Sequence, residues 1–225
     1  MRKDNPHQIR SYTRRSGRIT EAQQRAINLY SHRYTLSSDD FDWKASFCRE
    51  APRYVEIGFG MGETLLEFAR QSPEADFLGI DVYQPGIGRL YNQLDKYNVK
   101  NVRVIVDDAI LVFEHLIQSA SLDGIYIFFP DPWPKKRHHK RRLIQRSFAL
   151  QLSQALKVGG IIHLATDWQS YAAQILEVMS NTIGLAKVNS ENDFSASYNV
   201  RSETKFEHRG LKLGHDVFDY LFKRV

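Results

Sequence analysis

From residue 53 to the C-terminus, short apolar runs alternate with longer amphipathic stretches. Short runs bounded by turn residues read as strands, and apolar positions recurring every three to four residues read as helices. Residues 54–57 predict a first strand. A glycine turn over residues 58–62 follows, and Leu65, Leu66 and Phe68 mark a helix over residues 63–70. Residues 76–81 predict a second strand and residues 87–97 a helix. Residues 102–106 predict a third strand ending at Asp107 and Asp108, with Ile110, Val112, Phe113 and Leu116 on the next helix. Residues 125–129 are unbroken Ile, Tyr and Phe, the pattern of a strand buried on both faces. Leu143, Ile144, Phe148, Leu152 and Leu156 predict a helix that stops at Val158-Gly159-Gly160, a glycine C-terminal signal. Residues 161–166 predict a fifth strand and residues 169–179 a helix. The alternation of Val217, Asp219, Leu221 and Lys223 with Phe218, Tyr220 and Phe222 predicts a last strand. This alternation of strand and helix is the signature of an α/β fold, a mostly parallel sheet with helices on both faces.

Upstream the pattern is different. Thr20 is placed to cap a helix running toward Tyr30. Residues 31–40 read as a polar connection, and Phe41, Trp43 and Phe47 as a short helix packed on the main domain. Residues 1–18 lack apolar periodicity and read as a flexible basic arm that orders on a partner. The chain thus divides into an arm (1–18), a helical extension (19–52) and a main domain (53–225).

Composition narrows the setting. A chain of 225 residues can bury a sizeable core. No stretch is long and apolar enough for a transmembrane helix, and the basic N-terminus has no apolar signal segment, so no membrane partner is expected. The single cysteine, Cys48, cannot make an intrachain disulfide and reads as a small core residue in a reducing, cytoplasmic compartment. Net charge is +5 overall, with +5 in residues 1–18 and +6 in residues 135–142, so the remainder carries −6. A mildly acidic globule with two concentrated basic segments fits a polyanionic partner that meets both. Monomer and homodimer are both compatible with the sequence.

The fourth strand leads directly to the second basic segment. Pro130, Pro132 and Pro134 alternate with Asp131 and Trp133, which excludes ladder and helix and ends the strand in a stiff turn. Ligands of open α/β sheets sit beyond the carboxyl ends of the strands, where Asp131 and Trp133 fall. Lys135, Lys136, Arg137, His138, His139, Lys140, Arg141 and Arg142 follow. His138 and His139 do not read as a metal pair, because six cations surround them and no acid or Cys is near in sequence. Phosphate contact is the expectation. Six neutralised phosphates would give log affinity against log salt a slope of roughly −4 to −5.

The first three strands also end in ligand-binding residue types. Glu56-x-Gly58-x-Gly60-x-Gly62 lets the backbone turn tightly and approach a ligand closely at a helix N-terminus. Asp81 follows at the spacing where an acid meets ribose hydroxyls. Asp108 ends the third strand, where an adenine edge could be read. The third glycine comes one residue too early for a dinucleotide fingerprint, and no Walker lysine is present. A ligand with ribose and adenine but no phosphate fits, as in S-adenosylmethionine, and the E-x-G-x-G-x-G turn resembles the first motif of class I methyltransferases.

Taken with Phe129-Pro130-Asp131-Pro132-Trp133, the chain resembles the tRNA (guanine-N7-)-methyltransferase family. The resemblance also includes Arg14-Arg15-x-Gly17-Arg18, Lys140-Arg141-Arg142, Ala165-Thr166-Asp167-Trp168 and Thr204-Lys205-Phe206-Glu207-x-Arg209-Gly210. Asp81 stands where many members carry Glu, and either acid can accept from ribose. The resemblance implies a Rossmann-like class I methyltransferase fold with an antiparallel last strand. It implies methylation of a guanine at N7 in the variable loop of tRNA, with S-adenosylmethionine held by Glu56, Asp81, Asp108 and the Gly58, Gly60 and Gly62 backbone. It places Asp131 at the junction of cofactor and guanine. Lys135, Asp167, Thr204, Lys205, Phe206 and Glu207 are assigned to the substrate nucleotide, and Arg137, His138, His139, Lys140, Arg141 and Arg142 to RNA contact.

Three other readings stand beside this one. Exocyclic-amine methyltransferases carry an acid or Asn, two prolines and an aromatic at the same strand end, but here Trp133 directly follows Pro132. A non-catalytic RNA-binding subunit would not need Glu56, Asp81, Asp108 and Asp131 together. A nicotinamide-dependent dehydrogenase would leave the basic segment unused. Trp133 either stacks on a base or wedges its loop.

Overall fold

In a computed structural model, the structure describes residues 11–12, 17–37, 41–188 and 216–225. The elements in chain order are α1 (Glu21–Tyr34), β1 (Thr35–Leu36), α2 (Trp43–Phe47), β2 (Arg53–Ile57), α3 (Glu63–Gln71), β3 (Asp76–Ile80), α4 (Gln84–Lys96), β4 (Val102–Ile105), α5 (Ala109–His115) and β5 (Leu122–Phe128). A 3₁₀ helix (Lys136–Arg141), α6 (Arg146–Ala155), β6 (Leu156–Thr166), α7 (Gln169–Ser180), β7 (Leu185–Lys187) and β8 (Phe218–Arg224) complete them. The strands form one sheet in the order β1-β4-β3-β2-β5-β6-β8-β7. All pairings from β1 to β6 are parallel, and β8 runs antiparallel to both β6 and β7.

Each face of the sheet has its own core. Val112, Phe113, Phe148, Leu152, Tyr171 and Ile175 bring α5, α6 and α7 onto one face, where Trp43 of α2 joins them. Ala26, Tyr34, Leu65, Phe68, Ile87 and Leu90 bring α1, α3 and α4 onto the other. Burying each such large apolar side chain contributes about 1.5–3 kcal/mol. Val55 and Ile57 of β2 sit in the first cluster, while Tyr54 packs against the second. This period-2 split is what a central strand needs.

Several local expectations change. The helix begun at Thr20 has a full capping box with Gln23, but it continues through Tyr34, which is fully buried against Tyr91. Residues 35–36, expected in a polar connection, pair as β1 with Val104 and Ile105. The helical extension therefore also supplies the edge strand of the sheet. The helix expected to reach Leu156 ends at Ala155, and Leu156 pairs with Leu122 instead. The glycines that looked like a helix stop lie in a bulge. Gly159 has φ +86, and the β5–β6 register shifts between Leu122 and Gly124. Cys48 is exposed rather than buried, in a left-handed backbone at the end of α2. Leu185 to Lys187 form a strand that the periodicity did not show, since Leu185 alone of the three is buried.

Helices α1 and α4 touch backbone to backbone at Gly88. A Cβ there would lie 2.5 Å from the Gln23 carbonyl oxygen and under 3.0 Å from two more Gln23 backbone atoms. In an open helix, Gly88→Ala would gain about 1 kcal/mol. Here the clash is with backbone that cannot rotate away, and overpacking costs about 2–3 kcal/mol. The clash dominates, so Gly88→Ala is expected to lower the thermal midpoint by about 2–6 °C. A thermal unfolding scan that showed a rise would contradict this contact.

Candidate active site and nucleic-acid interface

The strand order β4-β3-β2-β5-β6 sets five strand ends side by side along one carboxyl edge. They bring Asp108, Asp81, Glu56 with the glycine turn, Asp131 and Asp167 into one row. Four strand spacings make that row about 19 Å long. The chain reverses direction across the sheet between β2 and β5, and a crevice at such a switch point is where ligands of open sheets bind. The glycine turn lies on one side of it and Asp131 on the other.

Glu56 lies within β2 with 3% of its surface exposed, and among the described residues its Oε2 has no hydrogen-bond partner. Desolvation, assisted by the nearby Asp81 charge, pushes its carboxyl up to about 8. A buried acceptor without a donor is costly, so the site fits a ligand that brings donors or positive charge. Gly58 and Gly60 have φ +72 and +55, and a Cβ on either would meet nothing within 4 Å. These two glycines leave room for a ligand against bare backbone. Gly62, at φ +75, has a different job: a Cβ there would lie 2.9 Å from Leu90.

Asp81 organises the turn. Its Oδ2 accepts from the Gly60 N–H at 2.7 Å, and its Oδ1 from Val82 and Tyr83 N–H at 2.7 and 2.9 Å. Asp108 caps α5 through Oδ1, which accepts from Ile110 N–H at 2.9 Å, and is 6% exposed. Ribose and adenine contacts by these acids would add to those structural bonds. The acceptors Glu56, Asp81 and Asp108, with the glycine backbone, fit the adenosyl and amino acid parts of S-adenosylmethionine. Among the described residues, no group of three or more His, Cys, Asp or Glu is arranged to hold a metal ion.

Beyond β5 the backbone takes two unusual turns. Phe129 and Trp133 have φ of 50° and 45°, a left-handed region that costs about 1–2 kcal/mol for such residues. Hydrogen bonds from both ends help hold the turn. Phe129 N–H donates to the Ala165 carbonyl at 2.8 Å, and Arg142 Nε donates to the Pro132 carbonyl at 2.8 Å. Trp133 is packed as a wedge. Its ring meets His138 edge-on and lies under the Arg141 guanidinium at 5.0 Å, while Nε1 donates to the Ser11 carbonyl at 3.3 Å.

Arg142 is a correction to the RNA-contact expectation. It is 2% exposed, lies over the Tyr171 ring, and donates to Pro132, Ser170 and Gln174. Its guanidinium clamps the Asp131 turn to α7 and does not reach the surface. Sequence alone gave no signal for this, since Arg142 is one of six Lys and Arg residues within a stretch of eight. Lys135, Lys136, Arg137, Lys140 and Arg141 are exposed, as the expected patch requires. His138 is held below its ordinary value by desolvation first, then by the Arg137, Arg141, Lys135 and Lys140 charges. His139 and Lys140 line a groove of about 570 Å³ with Arg146 and Ser147 of α6 and Gln174 and Glu177 of α7. Thr204, Lys205, Phe206 and Glu207 lie outside the described residues. No helix among the described residues is long and apolar enough to cross a membrane.

Known proteins share both fold and sequence with this chain. The family model described as "Putative methyltransferase" matches residues 50–220. A tRNA (guanine-N(7)-)-methyltransferase of Neisseria meningitidis serogroup B is 50% identical over 224 residues, 98% of this chain and 92% of the relative. The one from Ralstonia pickettii is 47% identical over 222 residues, covering 97% and 86%. Among solved structures, the 16S rRNA methyltransferase KamB superposes with a TM-score of 0.57 at 12% identity, covering 82% of this chain and 94% of that one. The aminoglycoside resistance methyltransferase NpmB1 gives 0.53 at 15% identity, covering 84% and 94%. Identity that low speaks for the fold alone, a class I methyltransferase fold. About half of all positions are shared with the curated relatives over nearly their whole length, and the chain belongs to the tRNA (guanine-N(7)-)-methyltransferase family.

Proposed function

We propose that this chain transfers a methyl group from S-adenosylmethionine to N7 of a guanine in the variable loop of tRNA, in the cytoplasm. The observation that carries the reading is the junction at the switch point. An unpartnered buried acid and an open glycine turn end β2, and Asp131 and the exposed basic turn follow β5.

S-adenosylmethionine, when bound, supplies a methyl group already activated on a sulfonium. Guanine N7 has a free lone pair and no proton to lose, so the protein need not provide a general base. The ring gains positive charge as the methyl arrives. What the chain supplies is alignment, worth about 7–11 kcal/mol, and negative charge near the growing cation. Asp131 serves in either of two ways: it accepts from the guanine N1–H and amino edge, or it stabilises the cation. The Arg142 clamp and the flanking prolines hold its backbone in place for both. Glu56, Asp81 and Asp108 hold the cofactor with the Gly58, Gly60 and Gly62 backbone. Lys135, Asp167, Thr204, Lys205, Phe206 and Glu207 hold the substrate nucleotide. Arg137, His138, His139, Lys140 and Arg141 contact RNA phosphates.

The direct test incubates tRNA with the full chain and labelled S-adenosylmethionine, followed by digestion to nucleosides. Wild type should yield N7-methylguanosine, and Asp131→Ala should lower the rate by about 10²-fold. A methylated exocyclic amine would point to the other methyltransferase class. Bound tRNA with no label in any nucleoside would point to a non-catalytic subunit. With Arg142 buried, five exposed cations remain on the turn, and the salt slope of tRNA affinity is expected at roughly −3.5 to −4.5.

Glu56 gives a separate prediction without catalysis. Between its ordinary value of 4.5 and about 8, the folded protein holds a proton that the unfolded chain has lost. Stability therefore falls as pH rises through that window and levels off above about 8. Glu56→Gln removes this penalty. The ligand-free variant should be more stable than wild type at pH 8 by on the order of a few kcal/mol, with little difference near pH 4.5. S-adenosylmethionine affinity of the same variant, read by calorimetry, should drop. Equal stability at both pH values would mean that Glu56 is not a buried, unpaired acid.

A further inference from the structure

Trp168 is the most exposed of the three tryptophans, at 36%, against 6% for Trp43 and a part-buried Trp133. It follows Asp167 at the carboxyl end of β6, on the same edge as the row of acids. A single exposed ring is common on a protein surface, but this one stands at the strand edge where ligands of open sheets bind. This one is also held still. Its Nε1 donates to Ser170 Oγ at 3.0 Å, and the same Oγ accepts from Arg142 Nη2 at 3.0 Å. Arg142 Nε in turn reaches the Pro132 carbonyl at 2.8 Å. Three hydrogen bonds thus tie the exposed indole to the turn that carries Asp131.

With its only polar atom satisfied, what Trp168 offers a ligand is the flat face of its ring. Arg53 lies over Trp43 and Arg141 over Trp133, but among the described residues no cation or ring covers Trp168. The exposed cations of residues 135–141 follow the same turn. A π-face next to clustered cations is the composition of sites that bind unpaired nucleotides.

The chemistry of the target asks for such a face. Guanine N7 lies in the major groove of helical RNA, which is too deep and narrow for side chains to read. The guanine must therefore leave its stack, which exposes the face of a neighbouring base. We propose that Trp168 is the platform on which an unpaired base flanking the target guanine stacks. The inference rests on the reading that the chain methylates a guanine of tRNA.

The test compares full-length wild type, Trp168→Ala and Trp168→Phe. Trp168→Ala should raise KM for tRNA by about ten-fold or more, with the thermal midpoint and KM for S-adenosylmethionine close to wild type. Trp168→Phe, which keeps a ring, should recover most of that loss. Tryptophan emission should be quenched when tRNA is titrated in, and most of the quench should vanish in Trp168→Phe although that variant still binds. KM for tRNA within two-fold of wild type in Trp168→Ala would overturn the proposal, as would a quench unchanged in Trp168→Phe. Equal losses for both substrates with a lowered thermal midpoint would make Trp168 a structural residue and overturn it too. Emission that changes with protein concentration alone would assign the face to a second copy instead. Should wild type make no N7-methylguanosine, the functional reading fails by itself, and the quench comparison with tRNA still decides the role of Trp168.

Discussion

The site depends on one pairing, the parallel ladder between β2 and β5 at the centre of the sheet, from Tyr54 opposite Gly124 to Ile57 opposite Ile127. Residue 124 has to be glycine for the ladder to close. A Cβ there would lie 2.6 Å from the Tyr54 ring, which stacks between Phe77 and Tyr126. Once the pair forms, strand geometry starts the glycine turn and the turn that carries Asp131 about one strand spacing apart, near 4.8 Å. No long-range contact between the loops is needed to bring them together. Just past their carboxyl ends, Gly58 N–H reaches the Ile80 carbonyl and Phe129 N–H reaches the Ala165 carbonyl. The sheet ladder thus extends into the first residue of each loop and carries its rigidity into the site.

Past that first residue, the β5 turn is kept in shape by a buried cation. Burying a guanidinium is expensive unless its donors are met. Arg142 spends its donors on two carbonyls, a hydroxyl and an amide oxygen, and its flat face lies on Tyr171. Tyr171 is itself fixed, since its hydroxyl accepts from Ile144 N–H at 3.0 Å. These partners lie on the β5 turn itself and on α7, which are far apart in the chain, so the left-handed Phe129 and Trp133 conformations persist only in the assembled fold.

This division of labour explains which parts were legible in the sequence. Asp81, Asp108 and Asp131 could be placed because each follows an apolar run whose end is easy to see. The glycine turn could be read because its spacing is a local property. Arg142 could not be separated from its neighbours, because what distinguishes it is packing against residues 28 and 32 positions away, Ser170 and Gln174. Gly159 and Gly160 misled because glycine marks both helix ends and strand bulges, and only the partner Leu122 decides between them. The two residues of β1 are too few to show any period, and Tyr34 reads as part of a polar connection until Tyr91 is seen beside it. The resemblance supplied the substrate assignments, which periodicity could not have given.

The balance of charge along the carboxyl edge shifts at Asp131. Asp108, Asp81 and Glu56 lie toward β4, while beyond β5 the exposed cations of the 3₁₀ helix outnumber Asp167 at the end of β6. In the proposed reaction, the cofactor is a cation and the RNA is a polyanion, so each has its own side of the edge. The methyl group then crosses the boundary and carries positive charge from sulfur toward the guanine ring. A carboxylate at the crossing point faces positive charge before and after the transfer, so little electrostatic work opposes the step. A general base at this position would be of no use, since N7 has no proton to give up. In the proposed reaction the same layout accounts for a rigid turn at this point: Asp131 would have to serve both ends of a short transfer path, and displacement of about 1 Å can cost on the order of 10²-fold in rate.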